Sequence, residues 1–301
     1  MYHYVRPIKE SAFPGIKGLE VSDFINQLDF FCESYSFVTV DQINHSLTTN
    51  ASLPTNACWL TFDDGYKDHF DYVVPALKER GIEGAFFPPS VAILEHKLLH
   101  VNAIHYILAS AGDIDKLVGM LDSYCYMNGM IFEEIAKFKI IYCIPNRWDC
   151  GSTIYFKRML QHVLEPDLRN HIVEMIFKDV LGFTTEECAK TLYMSCDQLT
   201  TLVDEGMYVG SHGANHLWLD RYSEVDQKND IEQSMGLLEQ VGAPTKDWVM
   251  CYPYGAYNSD TIKVIKDLSC SIGVTTKPEV ARLDCSNRYA LPRFDTNDFS
   301  K

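Results

Sequence analysis

Two adjacent aspartates close one apolar run of this sequence, and two histidines four apart follow another; these are the residues whose types and spacing suit chemistry. The first group is Cys58-Trp59-Leu60-Thr61-Phe62-Asp63-Asp64-Gly65. A stretch of strand character runs straight into two carboxylates and a glycine, and in α/β proteins reactive groups lie beyond the carboxyl ends of strands. Two ionised carboxylates side by side repel unless a cation or positive group lies between them. Asp-Asp-Gly is equally good turn and helix-cap chemistry, so alone it reads either way. The second group is Tyr208-Val209-Gly210-Ser211-His212-Gly213-Ala214-Asn215-His216. If a helical turn starts there, both imidazoles share a face. Neutral imidazole is the commonest zinc ligand, although a His-x-x-x-His pair in a loop can be incidental. One Asp and two His at strand ends would give three protein ligands, with room left for water and substrate. The third group is Met250-Cys251-Tyr252-Pro253-Tyr254-Gly255. It reads as a rigid turn that presents backbone N–H groups to a ligand, or as an ordinary Pro-Tyr-Gly loop.

These groups need elements to hold them. Short apolar runs at 37–40, 58–62, 84–87, 207–210, 249–252, 272–275 and 289–291 read as buried strands. Helical spacing lies between many of them, at 24–31 with Ser22 as a cap, at 72–80 and at 226–241. Such alternation predicts a mainly parallel sheet or barrel. Residues from about 95 to 199 differ, with helix-like patterns at 98–111, 131–138, 154–164 and 168–180 and no clear strand. This stretch is expected to be a helical insertion within one domain that spans 1–301.

In their order, Thr61-Phe62-Asp63-Asp64-Gly65, His212-x-x-x-His216 and Tyr252-Pro253-Tyr254-Gly255 resemble the first three motifs of the polysaccharide deacetylase family, the NodB-homology domain of carbohydrate esterase family 4. The resemblance covers about 58–90 and 207–295 and omits the helical stretch. It implies a distorted, incomplete (β/α) barrel and a metal-dependent hydrolase that removes an N-acetyl group from an acetamido sugar. It assigns Asp63 as general base and Asp64, His212 and His216 as metal ligands. The backbone N–H of Tyr254, in the turn set by Pro253, would help hold the oxyanion. One divalent ion is implied, with zinc the default for this ligand set and cobalt, nickel or iron as alternatives.

The chain departs from the family pattern in two places. Many members carry an Arg where this sequence has Cys251, and many carry a late Leu-x-His, whereas no histidine follows Tyr254 here. Tyr2-His3 and Leu291-Pro292-Arg293-Phe294 resemble the exported poly-N-acetylglucosamine deacetylase branch, in which the last motifs are permuted to the N-terminus. That resemblance offers His3 as the acid and Arg293 as the partner of Asp63. Each could otherwise be a surface residue.

Composition narrows the field. A net charge of -15 with no basic stripe argues against nucleic acid. No run is apolar and long enough to span a membrane. The N-terminus lacks the layout of a signal peptide, and the ten cysteines are scattered without C-x-x-C pairs. Both point to free thiols and a cytoplasmic protein. A nucleotide- or lipid-linked acetamido sugar, on the way to a surface glycan, is then a better substrate than polymer. The oligomeric state is left open. Competing readings are a deformylase or other small-amide hydrolase on the same barrel, and a glycan-binding barrel without turnover. A non-haem iron triad fits poorly, because such sites use His-x-Asp spacing on another scaffold.

Overall fold

A computed structural model describes residues 1–146, 149–284 and 286–299. Seven short strands appear among them: β1 (Ser36–Phe37), β2 (Ala57–Cys58), β3 (Leu60–Asp63), β4 (Gly84–Phe87), β5 (Tyr208–Val209), β6 (Trp248–Cys251) and β7 (Cys270–Val274). Helix α1 (Val21–Ser34) precedes β1, and between β1 and β4 the chain forms α2 (Val40–Thr49) and α3 (Val74–Glu79). After β4 come α4 (Ser90–Leu94), α5 (His100–Ser110), α6 (Ile114–Met127), α7 (Phe132–Tyr142), α8 (Gly151–Arg158), α9 (Pro166–Leu181), α10 (Thr185–Leu192) and α11 (Cys196–Asp204). The later helices are α12 (Glu224–Gln240) and α13 (Ser259–Asp267).

The chain divides into two compact units. One comprises 1–7, 18–97 and 191–301; the other comprises 8–17 and 98–190. The second unit is helical, and among its described elements there is no strand. Its core is supplied by the inward faces of α5, α6 and α9, with Ile104, Ile107, Leu121, Ile172, Ile176 and Phe177 all fully buried.

The first unit carries the strands, and every ladder in it is parallel. β3, β4 and β5 form one sheet, β6 and β7 a second, and β1 and β2 a third. Single bridges link these pieces. Ser211 pairs with Met250, joining β5 to β6, and Val274 pairs with Leu291 beyond β7. At the other end, Tyr2 bridges Phe62; its N–H donates to Thr61 O at 2.8 Å and its carbonyl accepts from Asp63 N–H at 2.9 Å. Thr296 N–H in turn donates to the carbonyl of Met1 at 3.1 Å. The result is an irregular, incomplete ring of parallel strands, whose parts are linked by loose pairings rather than by a continuous ladder. β3, β4, β6 and β7 are buried at every position, as parallel strands covered on both faces must be. One apolar cluster runs from Val38, Val40 and Ile43 through Ala85 and Phe87 to Val249, Ile272, Val274 and Leu291.

Four local expectations need correction. Ser22 lies inside α1, whose N-cap is Glu20 with no side-chain cap bond; a helix seated on a buried apolar face does not need that cap. The 58–62 run breaks at Trp59 into β2 and β3, so it serves two different sheets. The 289–291 run contributes one bridge at Leu291, not a strand. The segment that carries His212 and His216 is not helical. Nine cysteines are free thiols, whereas Cys285 lies outside the described residues.

Candidate active site

The carboxyl end of β3 delivers Asp63 and Asp64. The chain then turns sharply, with Asp64 at φ 70° and Gly65 at φ 69°. A left-handed conformation is tolerable for Asp, whose short polar side chain bonds locally. It is nearly obligatory for Gly65, where a Cβ would come within 2.7 Å of the Pro88 ring. The turn aims neighbouring carboxylates in different directions, and each finds its own surroundings.

Asp63 is 2% exposed and faces Arg293. The guanidinium binds it through both ends: Nη1 donates to Oδ1 at 2.9 Å and Nη2 to Oδ2 at 2.8 Å. The remaining donors of Arg293 reach Thr61 Oγ1 at 3.0 Å, Thr275 O at 2.9 Å and Cys251 Sγ at 3.2 Å. Arg293 therefore sits against Cys251, the position at which the family pattern led one to look for an arginine. Burial alone would raise the Asp63 pKa, but the Arg293 charge and its hydrogen bonds overcome this and hold the carboxyl well below the usual range. His3 reaches the same carboxylate, with Nε2 4.0 Å from Oδ2, and its side chain is 40% exposed.

Asp64 faces the histidines. Its Oδ1 lies 3.5 Å from His212 Nε2 and 3.4 Å from His216 Nε2. Oδ2 accepts from Tyr66 Oη at 2.5 Å, whereas Oδ1 is buried with no hydrogen-bond partner among the described residues. His212 Nδ1 lies 2.7 Å from the Cys251 carbonyl. A carbonyl only accepts, so Nδ1 carries a proton, and when the ring is neutral Nε2 presents its lone pair toward Asp64. The three ligand atoms lie within 4.8 Å of one another. A buried carboxylate oxygen facing two neutral imidazole nitrogens would be unfavourable by itself and is complementary to a cation. The donor set therefore fits a divalent ion of the zinc type.

The turn after β6 completes the surroundings. Pro253 is buried, and Tyr254 adopts φ 59° in a single 3-10 turn over Pro253–Gly255. The Tyr254 ring stacks on Trp218, with centroids 4.2 Å apart, and meets the His216 ring edge-on at 4.6 Å. Sequence reasoning thus singled out eight residues in five separate segments. The structure gathers Asp63, Arg293 and His3 into one contact, Asp64, His212 and His216 into a second, and Tyr254 against His216. Three neighbours were missed. Tyr66 and Trp218 sit within a few positions of the motifs and look like ordinary aromatic residues in sequence. His69, fully buried, lies 2.6 Å through Nε2 from the His3 carbonyl, to which it must donate. Burial lowers its pKa to about 4, so the ring stays neutral.

Comparison with known proteins follows the same lines. The sequence profile described as polysaccharide deacetylase matches residues 50–109 and 179–272. The Bacillus subtilis (strain 168) protein YxkH is 28% identical over 101 residues, an alignment that covers 34% of this chain and 36% of that relative's length. Among solved structures, the Streptococcus pyogenes deacetylase PplD in complex with acetate superposes with a TM-score of 0.59 at 17% identity, covering 98% of this chain and 89% of that one. IcaB from Ammonifex degensii gives a TM-score of 0.55 at 16% identity, over 98% and 90% of the two chains. The incomplete-barrel α/β fold expected from the sequence is therefore the fold of this chain.

Proposed function

Because the chain belongs to the polysaccharide deacetylase family, we propose that it is a metal-dependent hydrolase that removes an N-acetyl group from an acetamido sugar. The observation that carries this reading is the separation of two adjacent carboxylates. Asp63 is held by a guanidinium, and Asp64 is left with a bare oxygen between two imidazoles. In this reading Asp64, His212 and His216 hold the ion. When bound, it supplies a positive centre that polarises an amide carbonyl and acidifies water. Asp63 accepts the proton of the attacking water. Arg293 keeps that carboxylate ionised and fixes its plane. The Tyr254 N–H, in the turn started by Pro253, offers a donor to the developing oxyanion. His3, near Asp63 and partly open to solvent, delivers a proton to the departing sugar nitrogen. His69 holds the His3 backbone from beneath.

We read the chain as one deacetylase domain with the helical stretch of roughly residues 95–199 inserted in it. The finer substrate reading is a nucleotide- or lipid-linked acetamido sugar, handled in a reducing compartment. Its support is the free state of nine cysteines, of which Cys32, Cys143 and Cys150 are exposed. Faster turnover of long chitin oligomers than of monosaccharide derivatives would remove that finer claim and leave the deacetylase.

Acetate release and metal content test the central reading together. Asp64→Asn is expected to lose the ion. Asp63→Asn is expected to keep it and to lose turnover by about 10²–10⁴-fold, the usual contribution of a general base. An active Asp63→Asn protein would overturn the base assignment. Release of formate in place of acetate would move the substrate to a formamido sugar.

A further inference from the structure

The histidines that face Asp64 are separated by Gly213-Ala214-Asn215, and this loop has no helical or strand bonding of its own. Left-handed backbone occurs within it at Gly213, φ 68°, and directly after it at His216, φ 54°. Left-handed backbone is uncommon outside glycine, even for histidine, which adopts it more often than most residues, and it persists where the surroundings hold it. The imposing group is on α12. Asp230, 4% exposed, accepts from Ala214 N–H at 3.0 Å, from Asn215 N–H at 2.9 Å and from Asn215 Nδ2 at 2.9 Å. One turn further along the helix, Ser234 Oγ contacts Ser211 Oγ at 2.6 Å, and Ser211 Oγ in turn accepts from Gly213 N–H at 3.1 Å. The loop's carbonyls are held from the opposite side. Gly213 O accepts from Ser90 N–H and Ala214 O from Val91 N–H, each at 3.2 Å, in the first turn of α4. The fit leaves no slack: a Cβ on Gly213 would lie 2.7 Å from Asp230 Oδ2.

We propose that Asp230 is the positioning residue of the metal centre, a carboxylate that touches no ligand atom but sets the backbone from which His212 and His216 converge on Asp64. This rests on the metal-site reading given above. A buried carboxylate that receives several N–H bonds is a strong and directional anchor. Partners beyond the ligands themselves commonly govern metal affinity. The loop would otherwise have to pay for its left-handed residues each time an ion binds.

The test is zinc affinity by competition with a chromophoric chelator, at a temperature at which all proteins compared are folded. Asp230→Asn keeps the volume but brings an amide N–H₂ against N–H donors. It is expected to weaken zinc binding about 10–100-fold. Asn215→Ala removes one of the three bonds and should give a smaller loss in the same direction. In the metal-free wild type, the amides of Ala214 and Asn215 should be protected from hydrogen exchange, and this measurement decides the matter if Asp230→Asn does not fold. Unchanged zinc affinity in both folded variants, or unprotected amides at 214 and 215, would overturn the proposal. If Asp64→Asn loses zinc while Asp230→Asn retains wild-type affinity, this inference alone fails. If Asp64→Asn also binds as wild type, the metal-site reading fails and takes this inference with it.

Discussion

Burial by itself would raise the pKa of the Asp63 carboxyl, and Arg293 reverses that balance. The sign of the consequence follows. Asp63 has a folded pKa below the roughly 3.9 of an unfolded aspartate, so the pair stabilises the fold above about pH 4. That contribution is lost as the pH falls through the folded value. Arg293→Met should invert the dependence. Asp63 would then be buried without a counter-charge, its pKa would rise above the ordinary value, and the variant would be relatively most stable at acid pH. A loss of about 3–5 kcal/mol at neutral pH is expected in urea unfolding, and the acid limb of the activity profile should move to higher pH. An unmoved acid limb would remove Arg293 from its assigned role. Single residues were legible in sequence to different degrees. Asp63, Asp64, His212 and His216 announce themselves by adjacency and spacing at strand ends. Arg293 has no such local sign and was found through resemblance to a permuted branch. Asp230 could not be found at all, because an acid on an amphipathic helix looks the same whether it faces water or a loop.

The elements that hold these residues are short, and their close approach matters more than their length. β5 is two residues long and is followed by Gly210. A Cβ there would lie 2.6 Å from the Phe87 ring and 2.8 Å from Val249 O. The glycine lets β5 lie between β4 and β6, so that Ser211 bridges Met250 and His212 follows on the inner side. Gly210→Ala is therefore expected to cost about 1–3 kcal/mol through overpacking. It should lower turnover further by displacing His212, as read by denaturant unfolding and acetate release in parallel. Wild-type values in both would mean the neighbours have room to yield. At this scale the sequence located β4, β6 and β7 well, since each is a continuous apolar run. It did not show the break at Trp59, because the exchange of sheet partners between β2 and β3 is a tertiary event. It overextended the 289–291 run, whose apolar residues are buried by one bridge without forming a ladder. The histidine loop was expected on a helical spacing of four, yet left-handed residues produce the same convergence.

The strand-bearing unit as a whole is a ring finished by segments that scarcely qualify as strands. Tyr2 supplies one of the closures. It is 2% exposed, stacks on Phe62 at 5.2 Å and donates through its hydroxyl to Gln27 at 3.1 Å. Tyr2→Ala should cost about 3–5 kcal/mol, as for other large buried aromatic residues. It should also reduce turnover through the neighbouring His3, measured with metal content unchanged. Wild-type stability would show that the N-terminal segment is an appendage and not a member of the ring. Strand alternation made the parallel ring legible from sequence, but not how it closes, because bridges of one residue leave no periodic trace.

The ion pair of Asp63 with Arg293 joins positions 230 residues apart. During synthesis at about 5–20 residues per second, roughly 10–50 s separate the appearance of the two partners. For that interval the nascent chain carries a carboxylate whose counter-charge has not yet been made, and the β3 end cannot become its final dry interior without protonating Asp63. Formation of this contact is thus a late event with a large loop to close. The emergence of the 291–293 segment marks the earliest moment at which Asp63, the base of the proposed reaction, can take up its folded environment.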